Sequence, residues 1–391
     1  MEAMDVQGFV FPNTHVNWGL MIVLYPYITG LVAGAFIVSA LYHVGKVQAL
    51  KPIASFALVA SFCFAAFATS PLLLHLHHPE RAFNILFMPH FTSAMSGFGF
   101  IYSFYMVVLI IEIWLANRAE FVTRALRSTG MARMFWSALS LGVLEITDKG
   151  RALDHKLLYA FSVIGIPAAC VLHGYVGFIF GGIKANPWWT SPMMPVVFLL
   201  SAVASGIAAL VVMYVVFSKM RRKALDVACY RTLLKLLWGA LIVAFSLEMI
   251  ELMNRTYVGG AHWHVLEQMM HEKLFVSHYI IQILLGALVP LFLLPTVFRK
   301  NASLGWMKFG GVLSGLLILV QVLAMRWNVV IGGQLFSRSY RGFVNWSPEW
   351  SGREGILMFI LVMVMPFILL AVMSRIVPLW SSEDDAPVEA T

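Results

Sequence analysis

The stretch that decides the fold is residues 18–42, WGLMIVLYPYITGLVAGAFIVSALY. It carries no charged side chain, and about 20 helical residues are enough to cross the roughly 30 Å hydrocarbon core of a bilayer. Similar runs dominate the 391 residues, of which 60% are apolar and 12% are charged. Soluble domains carry about 25% charged residues. The composition therefore excludes a soluble globular protein and predicts a polytopic membrane protein.

The charge and cysteine patterns argue against two further classes. The net charge is +8, but Lys and Arg lie in short clusters between apolar runs, where membrane topology explains them better than phosphate binding. The cysteines, Cys63, Cys170 and Cys229, form no CxxC or CxxCH pair. We therefore predict no nucleic-acid partner, and neither an iron–sulfur cluster nor a c-type haem in this chain.

Nine apolar runs are long enough to cross a bilayer as helices. They lie near residues 18–44, 52–77, 92–116, 156–183, 192–217, 232–253, 274–298, 304–325 and 354–377. A β-barrel would need short alternating segments instead. The predicted fold class is all-α, with about nine transmembrane helices. The shorter apolar stretch at 131–150 is interpreted as an interfacial helix, with a tenth span as the alternative.

Basic loops alternate along the chain with loops poor in Lys and Arg. Lys46 and Lys51 follow the first predicted span. The later clusters follow the third, fifth and seventh spans and contain Arg118, Arg124, Arg127, Arg133, Lys219, Arg221, Arg222, Lys223, Arg231, Arg299, Lys300 and Lys308. By the positive-inside rule these loops are cytoplasmic, so the N-terminus is predicted outside and the acidic tail inside.

A weak internal repeat suggests the domain organisation. TGLVAGAFIVSALY of the first span aligns with SAVASGIAALVVMY of the fifth, matching Thr29 to Ser201 and Gly34 to Gly206. Close helix packing alone is the alternative explanation for such small residues. The repeat predicts two four-helix bundles plus a last helix, within one membrane domain. The predicted segments are an extracytoplasmic N-terminus at 1–17, bundles at 18–183 and 192–325, an extracytoplasmic docking loop at 326–353, a last helix at 354–378 and a cytoplasmic tail at 379–391.

The densest polar cluster joins the second and third spans, in HLHHPERAFNILFMPHF at 75–91. Its candidate catalytic residues are His75 and His77, and its candidate ligand-binding residues are His78, Arg81 and His90. The predicted topology adds Tyr175 as a third catalytic residue at the same surface, with His15, Asn17 and His173 as ligand-binding residues. A ubiquinol or menaquinol headgroup needs donors and acceptors at each oxygen and a group that takes a proton as an electron leaves. The cluster therefore predicts a quinol site, with interfacial polar residues that bind no ligand as the alternative.

The same imidazoles offer a second alternative, a b-type haem. Haem ligation requires two facing histidines at matching depth, and His75 with His173 is the pair that the predicted spans allow. Their depths do not clearly match, so the quinol site is the preferred interpretation and no metal site is predicted.

Glu112, Glu248 and Glu251 are acidic residues that fall within predicted spans and away from the first residue of the span. A charged acid at the bilayer centre costs about 2.5 to 3.5 kcal/mol on insertion scales, so acids at such positions indicate function by default. Glu248 lies deepest in its half of the bilayer and is interpreted as part of a proton path. For Glu251, the alternative is an ion pair with Arg255 near the interface.

The predicted loop at 326–353 is long, basic and aromatic. Long loops often carry function, and Trp, Tyr and Arg concentrate at protein interfaces. We therefore predict a surface that docks a partner subunit, built around Tyr340, Phe343, Trp346 and Trp350. The alternative is an aromatic belt at the membrane interface.

Three stretches resemble the NrfD/PsrC family, the quinone-interacting membrane anchors of bacterial and archaeal respiratory oxidoreductases. They are WGLMIVLYPYITGLVAGAFI at 18–37, LLHLHHPERAFNILFMPHFTSAMSGFG at 73–99 and HGYVGFIFGGIKANPWWTSPMMPVVFLLSAVASG at 173–206. The GGQLFSRSYRGF loop and the extra last helix are most similar to the longer, DsrP-type members, which anchor complexes of dissimilatory sulfite reduction.

The resemblance implies a quinol site near the outer membrane surface, with menaquinone as the quinone and sulfur metabolism as the setting. It implies that Tyr25 takes the place of the first-helix quinone ligand and Tyr175 that of the tyrosine in a YTG-like turn. His75 stands where several members have an Asp in a DLGRP-like pattern, which puts direct transfer of that Asp's role in doubt. The implied partners are an extracytoplasmic iron–sulfur subunit, a multihaem cytochrome c and a second membrane module with a cytoplasmic iron–sulfur subunit, in a bacterial or archaeal cytoplasmic membrane.

Two other functions remain open at this point. A secondary transporter would also use a repeat and buried acids, but it would place functional residues at the bilayer midplane and break helices there. The second alternative function is that of a structural anchor without quinone chemistry. Because the chain lacks cluster-binding cysteines, a quinol role makes it one subunit of a larger oxidoreductase, catalytically incomplete alone.

Overall fold

The computed structural model describes residues 16–380, apart from Phe91, Ile146, Ala261, Arg338 and Arg341. Within that part of the chain the protein is all-helical, with nine helices long and apolar enough to span a membrane. They are α1 Leu20–His43, α2 Gln48–His75, α3 Ala94–Arg127, α4 Asp148–Gly181, α5 Met194–Met220, α6 Val227–Val258, α7 Phe275–Val297, α8 Leu304–Gln334 and α9 Ile356–Ile376. The predicted all-α polytopic membrane fold is confirmed.

The helices alternate in direction, so two ends of the bundle are defined. The N-side holds the start of α1 and the end of α2, and the C-side holds the end of α1 and the start of α2. Three helices that start at the C-side begin with a side-chain cap, which satisfies a free N–H of the first turn. Thr147 caps α4, Asp226 caps α6 and Ser303 caps α8.

Two of the nine spans depart from a regular α-helix. In α2, the helix Lys51–Ala68 is followed by a break at Thr69 and a short helix Ser70–His75. Pro71 occupies the first turn of that short helix, where its missing N–H costs nothing. In α7, residues Phe275–Leu288 form a π-helix. π-Helical turns are rare and often occur at functional sites.

α1 lies at the centre of the bundle and α9 at its edge. α1 packs on α2, α4, α5 and α8, whereas α9 packs mainly on α2. Gly34 of α1 and Gly206 of α5, the pair matched by the internal repeat, lie directly against each other. A Cβ on Gly34 would lie 2.6 Å from the Cα of Gly206, so this crossing requires glycine. Because α1 contacts helices of both predicted bundles, the two-bundle division stays a prediction.

The stretch at 131–150 does not cross the membrane. It forms a helix at Gly130–Leu139, and α4 has already begun by Asp148. Ten helical residues span about 15 Å, half of a hydrocarbon core. The alternative of a tenth span at this place is therefore wrong.

The predicted boundary between the second bundle and the docking loop is also wrong. The α-helical part of α8 continues to Val330, and a 3-10 turn at Gly332–Gln334 follows. Arg326, predicted to open the loop, is fully buried inside α8. The sequence interpretation ended the span at this charge, but hydrogen bonds to α4 and α5 offset part of the cost of its burial, while its Nε meets no partner among the described residues. The predicted N-terminal segment including His15, and most of the acidic tail, lie outside the described residues.

Candidate functional site

His75, at the N-side end of α2, is paired with an acid that the sequence analysis did not select. Its Nδ1–H donates a hydrogen bond to Oε1 of Glu354 at 2.8 Å, just before α9. The His75 side chain is 24% exposed and that of Glu354 is 37% exposed. Since a carboxylate only accepts, Nδ1 carries a proton, and in the neutral imidazole Nε2 presents a lone pair. The pair has the arrangement of a base oriented by a carboxylate.

The beginnings of α1 and α9 close around this pair. A Cβ on Gly19 would lie 2.9 Å from Oε2 of Glu354, so glycine leaves room for the carboxylate beside the start of α1. The guanidinium of Arg353 donates to the carbonyl of Leu76 at 3.4 Å. α1 also packs against the short helix Ser70–His75. Three helix ends therefore fix the position of the imidazole at the N-side.

The other loop side chains of the predicted site are exposed. His77, His78, Arg81 and His90 all lie at the N-side surface. His78 contacts Glu80 at 2.9 Å and His90 contacts Thr92 at 2.7 Å. The structure thus places these residues at the same end of the bundle as His75, in solvent-facing positions.

The two predicted tyrosines lie on either side of α3. Tyr25 of α1 is buried, and its ring packs edge-on against Phe98 with centroids 5.2 Å apart. Its hydroxyl is a buried polar atom without a hydrogen-bond partner among the described residues. Tyr175 of α4 is half-buried, and its hydroxyl lies against Gly97. Both rings therefore reach the first turns of α3, near the N-side.

His173 belongs to a different environment from Tyr175, although the two are close in sequence. Residues two apart on a helix do not share a face. His173 is completely buried and lies about 12 Å inside the N-side end of α4. Its Nε2 accepts a hydrogen bond from the Arg326 guanidinium at 3.3 Å. The prediction that grouped His173 with the surface imidazoles is therefore corrected.

Arg326 joins α8 to α4 and α5 through several acceptors. Besides His173, it donates to the hydroxyl of Ser201 at 2.8 Å and the carbonyl of Phe198 at 3.2 Å. Its guanidinium carbon also lies 3.8 Å from the centre of the Phe198 ring, as in a cation–π contact. Because arginine only donates, the neutral form of His173 carries its proton on Nδ1. That N–H meets no partner among the described residues.

Glu248 lies in a second polar network, formed by α6, α7 and α8. One carboxylate oxygen accepts from the amide of Gln282 and the other from that of Gln321 at 3.3 Å. The amide oxygen of Gln282 accepts from Asn328 at 2.6 Å and faces Nδ1 of His278 at 3.3 Å. The half-buried acid is thus held by two amide donors, as expected for a carboxylate inside a span.

The remaining predicted acids differ from each other. Glu251 forms an ion pair with Arg255 at 2.7 Å, so the alternative considered from the sequence holds for it. Glu112 is buried in α3 and accepts one hydrogen bond from Ser162 at 3.0 Å. Its second oxygen has no partner among the described residues.

The predicted docking loop is partly integrated into the bundle. Gln334 exchanges hydrogen bonds with the backbone of Trp18 at 3.0 and 3.1 Å, joining the end of α8 to the start of α1. Asn17 lines a neighbouring N-side cleft of about 510 Å³ together with Gln334 and Tyr340. Trp350, in contrast, is 73% exposed. Among the described residues of the loop, the part around Trp350 therefore offers the most exposed aromatic surface.

Sequence reasoning did not select four residues that organise these sites: Arg326, Glu354, His278 and Gln282. The apolar letters VVI after Arg326 and Asn328 signal that the helix continues beyond the charge. No local pattern points to Glu354, because its partner His75 lies 279 positions away. Among the described residues, no group of three His, Cys, Asp or Glu side chains is arranged to hold a metal ion.

Comparison with known proteins agrees with this architecture. The family model described as Polysulphide reductase, NrfD matches residues 9–338. A subunit of selenate reductase from Mesobacillus selenatarsenatis is 27% identical, over 95% of this chain and 88% of its own. An Hdr-like menaquinol oxidoreductase integral membrane subunit of Archaeoglobus fulgidus is 24% identical, over 84% and 73%.

Protein NrfD of Escherichia coli is 26% identical over 68% of this chain and 77% of its own length. The family model spans most of the nine helices, from before α1 to just beyond α8. The residues that gave the resemblance in the sequence lie inside the matched range. This chain is therefore an integral membrane protein that belongs to the polysulphide reductase NrfD family.

Proposed function

We propose that this chain is the quinol-binding membrane subunit of a respiratory oxidoreductase complex. The role as a membrane subunit of an oxidoreductase is supported by its relatives, whose names describe a part of selenate reductase and an integral membrane part of a menaquinol oxidoreductase. We further propose that the bound substrate is a quinol, with menaquinol as the first candidate. Electrons leave to a neighbouring iron–sulfur or cytochrome subunit, because the chain has no CxxC cluster motif of its own.

The observation that carries the quinol proposal is the His75–Glu354 pair. Oxidation of a quinol releases protons, and a base with a free lone pair within hydrogen-bond reach accelerates their removal. Nε2 of His75 is such a lone pair, since Nδ1 is committed to the carboxylate. The pair lies at the membrane end of α2, where a headgroup reaches it while its isoprenoid tail remains in lipid.

Tyr25 and Tyr175 complete the proposed site at the first turns of α3. The unpartnered hydroxyl of Tyr25 supplies a donor or acceptor for a ring oxygen. The exposed His77, His78, Arg81 and His90 form the entrance from the N-side. His173 contributes an N–H donor further inside, rather than a base, because Arg326 occupies its Nε2.

We place the N-side outside the cell and the C-side in the cytoplasm of a bacterial or archaeal cell. The basic residues that set this orientation lie at the C-side ends of the helices, as the positive-inside rule requires. The N-side then faces an extracytoplasmic iron–sulfur subunit and a multihaem cytochrome c. The proposed complex, which acts in sulfur metabolism, also includes a second membrane module with a cytoplasmic iron–sulfur subunit.

The test uses the assembled complex with His75→Ala and Glu354→Gln. Loss of a catalytic base typically lowers a rate by about 10²- to 10⁴-fold, so His75→Ala is expected to reduce quinol-dependent electron transfer by that range. Glu354→Gln should have a smaller effect in the same direction, because it disturbs the orientation of the imidazole and leaves the base in place. His155, exposed at the C-side of α4, provides the matched control His155→Ala.

The second readout is electron transfer from an artificial donor to the partner subunit, which bypasses the quinol. It should stay at the wild-type rate in all three variants, and subunit stoichiometry should be unchanged. Wild-type quinol kinetics in both His75→Ala and Glu354→Gln would refute the proposed base. A secondary transporter would instead show solute uptake that depends on Glu248 and is indifferent to His75.

A further inference from the structure

A second cleft opens among α5, α6, α7 and α8, with a cavity volume of about 90 Å³ that widens to about 620 Å³ when the open space at its mouth is included. Apolar side chains form most of its wall, among them Trp188, Met249 and Met325. His278, Gln282 and Glu248 form its polar side. Small-molecule sites likewise combine apolar walls with a few convergent polar groups. None of these residues belongs to the His75 site.

The hydrogen bonds around the cleft fix the tautomer of His278. Glu248 accepts from the amide nitrogen of Gln282, so the amide oxygen of Gln282 points away from the acid. That oxygen accepts from Asn328 and faces Nδ1 of His278. Nδ1 therefore carries the proton, and Nε2 presents a lone pair.

The Nε2 lone pair of His278 is buried and accepts no hydrogen bond from the described residues. His278 is 6% exposed, and its Nε2 has no hydrogen-bond partner among the described residues. A buried polar atom without a partner costs about 1 to 3 kcal/mol, and a ligand that satisfies it recovers much of that cost. The atom requires a donor, which excludes a ligand head that offers only carbonyl or phosphate oxygens.

The surroundings of the cleft limit the ligand further. Ile250 and Met253 of α6 and Phe275 and Val276 of α7 are exposed apolar side chains on two of the four helices that form the cleft. In a membrane these side chains face lipid, so an alkyl tail leaves the cleft without entering water. Trp188 and two methionines offer flat and adaptable contacts to a ring. The ligand is thus an amphiphile with a planar head and a hydroxyl donor.

We propose that the cleft among α5 to α8 binds a second quinol, whose hydroxyl donates to Nε2 of His278. The identity of the ligand rests on the proposed function, but the cleft and its residues are separate from the His75 site. The proposal concerns binding at a second position and adds no redox step. Arg255 pairs with Glu251 at the edge of the cleft and donates to the carbonyl of Trp188 at 2.7 Å. It therefore holds in place the Trp188 wall against which the quinol ring would pack.

The test is a fluorescence titration of the assembled complex in nanodiscs with 2-heptyl-4-hydroxyquinoline N-oxide. This probe has a planar head, a hydroxyl and an alkyl tail. Wild type should bind two probes per chain. His278→Leu should weaken one of the two by about tenfold, the value of one hydrogen bond to a buried acceptor. Met249→Trp, which fills the cleft without touching the imidazole, should weaken the same one.

His271→Leu is the matched control, because His271 is exposed on the helix Trp263–Glu272, close in sequence to α7. The His271→Leu complex should bind the probe at both sites. The His75→Ala complex should lose the probe at the His75 site and still bind the probe in the cleft. If His75→Ala keeps both while His278→Leu loses one, the proposed function fails and the second site stands.

Two results would overturn the second site. One is wild-type stoichiometry and affinity in both His278→Leu and Met249→Trp. The other is displacement of the second probe by phosphatidylglycerol at a concentration where menaquinol has no effect, which would assign the cleft to a phospholipid.

Discussion

Arg326 of α8 and His173 of α4 are joined by a hydrogen bond of 3.3 Å in the buried centre of the bundle. Both side chains are 0% exposed; His173 belongs to the predicted first bundle, whereas Arg326 was predicted to lie in the docking loop. The bond assigns opposite roles to two histidines of the predicted site. His173 presents an N–H donor, whereas His75, paired with Glu354, presents a lone pair.

Replacing Arg326 should destabilise the helix bundle. Arg326→Met removes the donor to His173, Ser201 and Phe198, and the Phe198 carbonyl then keeps the hydrogen bond from the Ser201 hydroxyl at 2.9 Å. The expected loss is about 2 to 3 kcal/mol in the free energy of unfolding, within the cost of unsatisfied buried groups. Thermal unfolding of the purified complex measures it. The control is Arg133→Met, on an exposed position of the helix Gly130–Leu139, which should unfold at the wild-type midpoint. Equal midpoints for the two variants would contradict a stabilising role of Arg326.

The crossing of α1 and α5 gives a matched pair of glycine variants. In Gly34→Ala the new methyl group would lie 2.6 Å from the Cα of Gly206, so the helices must separate. Overpacking of this kind costs about 1 to 3 kcal/mol. A Cβ added at Gly239 would meet no neighbouring atom within 4 Å, so Gly239→Ala should be neutral or stabilising by up to about 1 kcal/mol. Melting temperatures in detergent compare the two, and the reverse order would contradict the packing.

Glu248→Gln should slow quinol turnover less than His75→Ala does. The acid accepts hydrogen bonds from Gln282 and Gln321, and an amide nitrogen in its place would face one of these donors. A relay position away from the headgroup is expected to cost about tenfold or less, below the range for a direct proton acceptor. Steady-state rates with short-chain menaquinol measure both, with Glu272→Gln as the exposed control. A rate loss for Glu248→Gln that exceeds the loss for His75→Ala would indicate that the quinol reacts in the second cleft and not beside His75.

The orientation of the bundle predicts which cysteines react from outside the cell. His77→Cys lies on the exposed N-side loop, and Leu304→Cys lies on the C-side at the start of α8, where Leu304 is 44% exposed. A membrane-impermeant maleimide applied to intact cells should label the first and leave the second unlabelled until the membrane is opened. Labelling in the opposite order would invert the topology.

Patterns within single helices allowed much of the fold to be predicted. Each span is an apolar run of bilayer length, and length and composition alone define it. The same reasoning failed at Arg326, because a charge ends an apolar run in the sequence, while the folded chain satisfies that charge with acceptors from α4 and α5. Only the three-dimensional packing of distant helices supplies those acceptors.

The candidate site was predictable in part for the same reason. His75, Tyr25 and Tyr175 were selected, because polar residues at one membrane surface stand out in an apolar chain. Glu354 was not, since a carboxylate at the start of a helix is ordinary in sequence and gains meaning only beside His75. The tautomers of His173 and His278 depend on partners in other helices, and no sequence spacing encodes them.

The central claim is that a quinol binds at the N-side against His75. A cryo-EM map of the complex prepared with menaquinol tests it most directly. The account predicts headgroup density with one oxygen within about 3.2 Å of Nε2 of His75, a hydrogen-bond distance, and the ring close to Tyr25 at the first turns of α3. Headgroup density found only among α5 to α8, with none beside the His75–Glu354 pair, would contradict it.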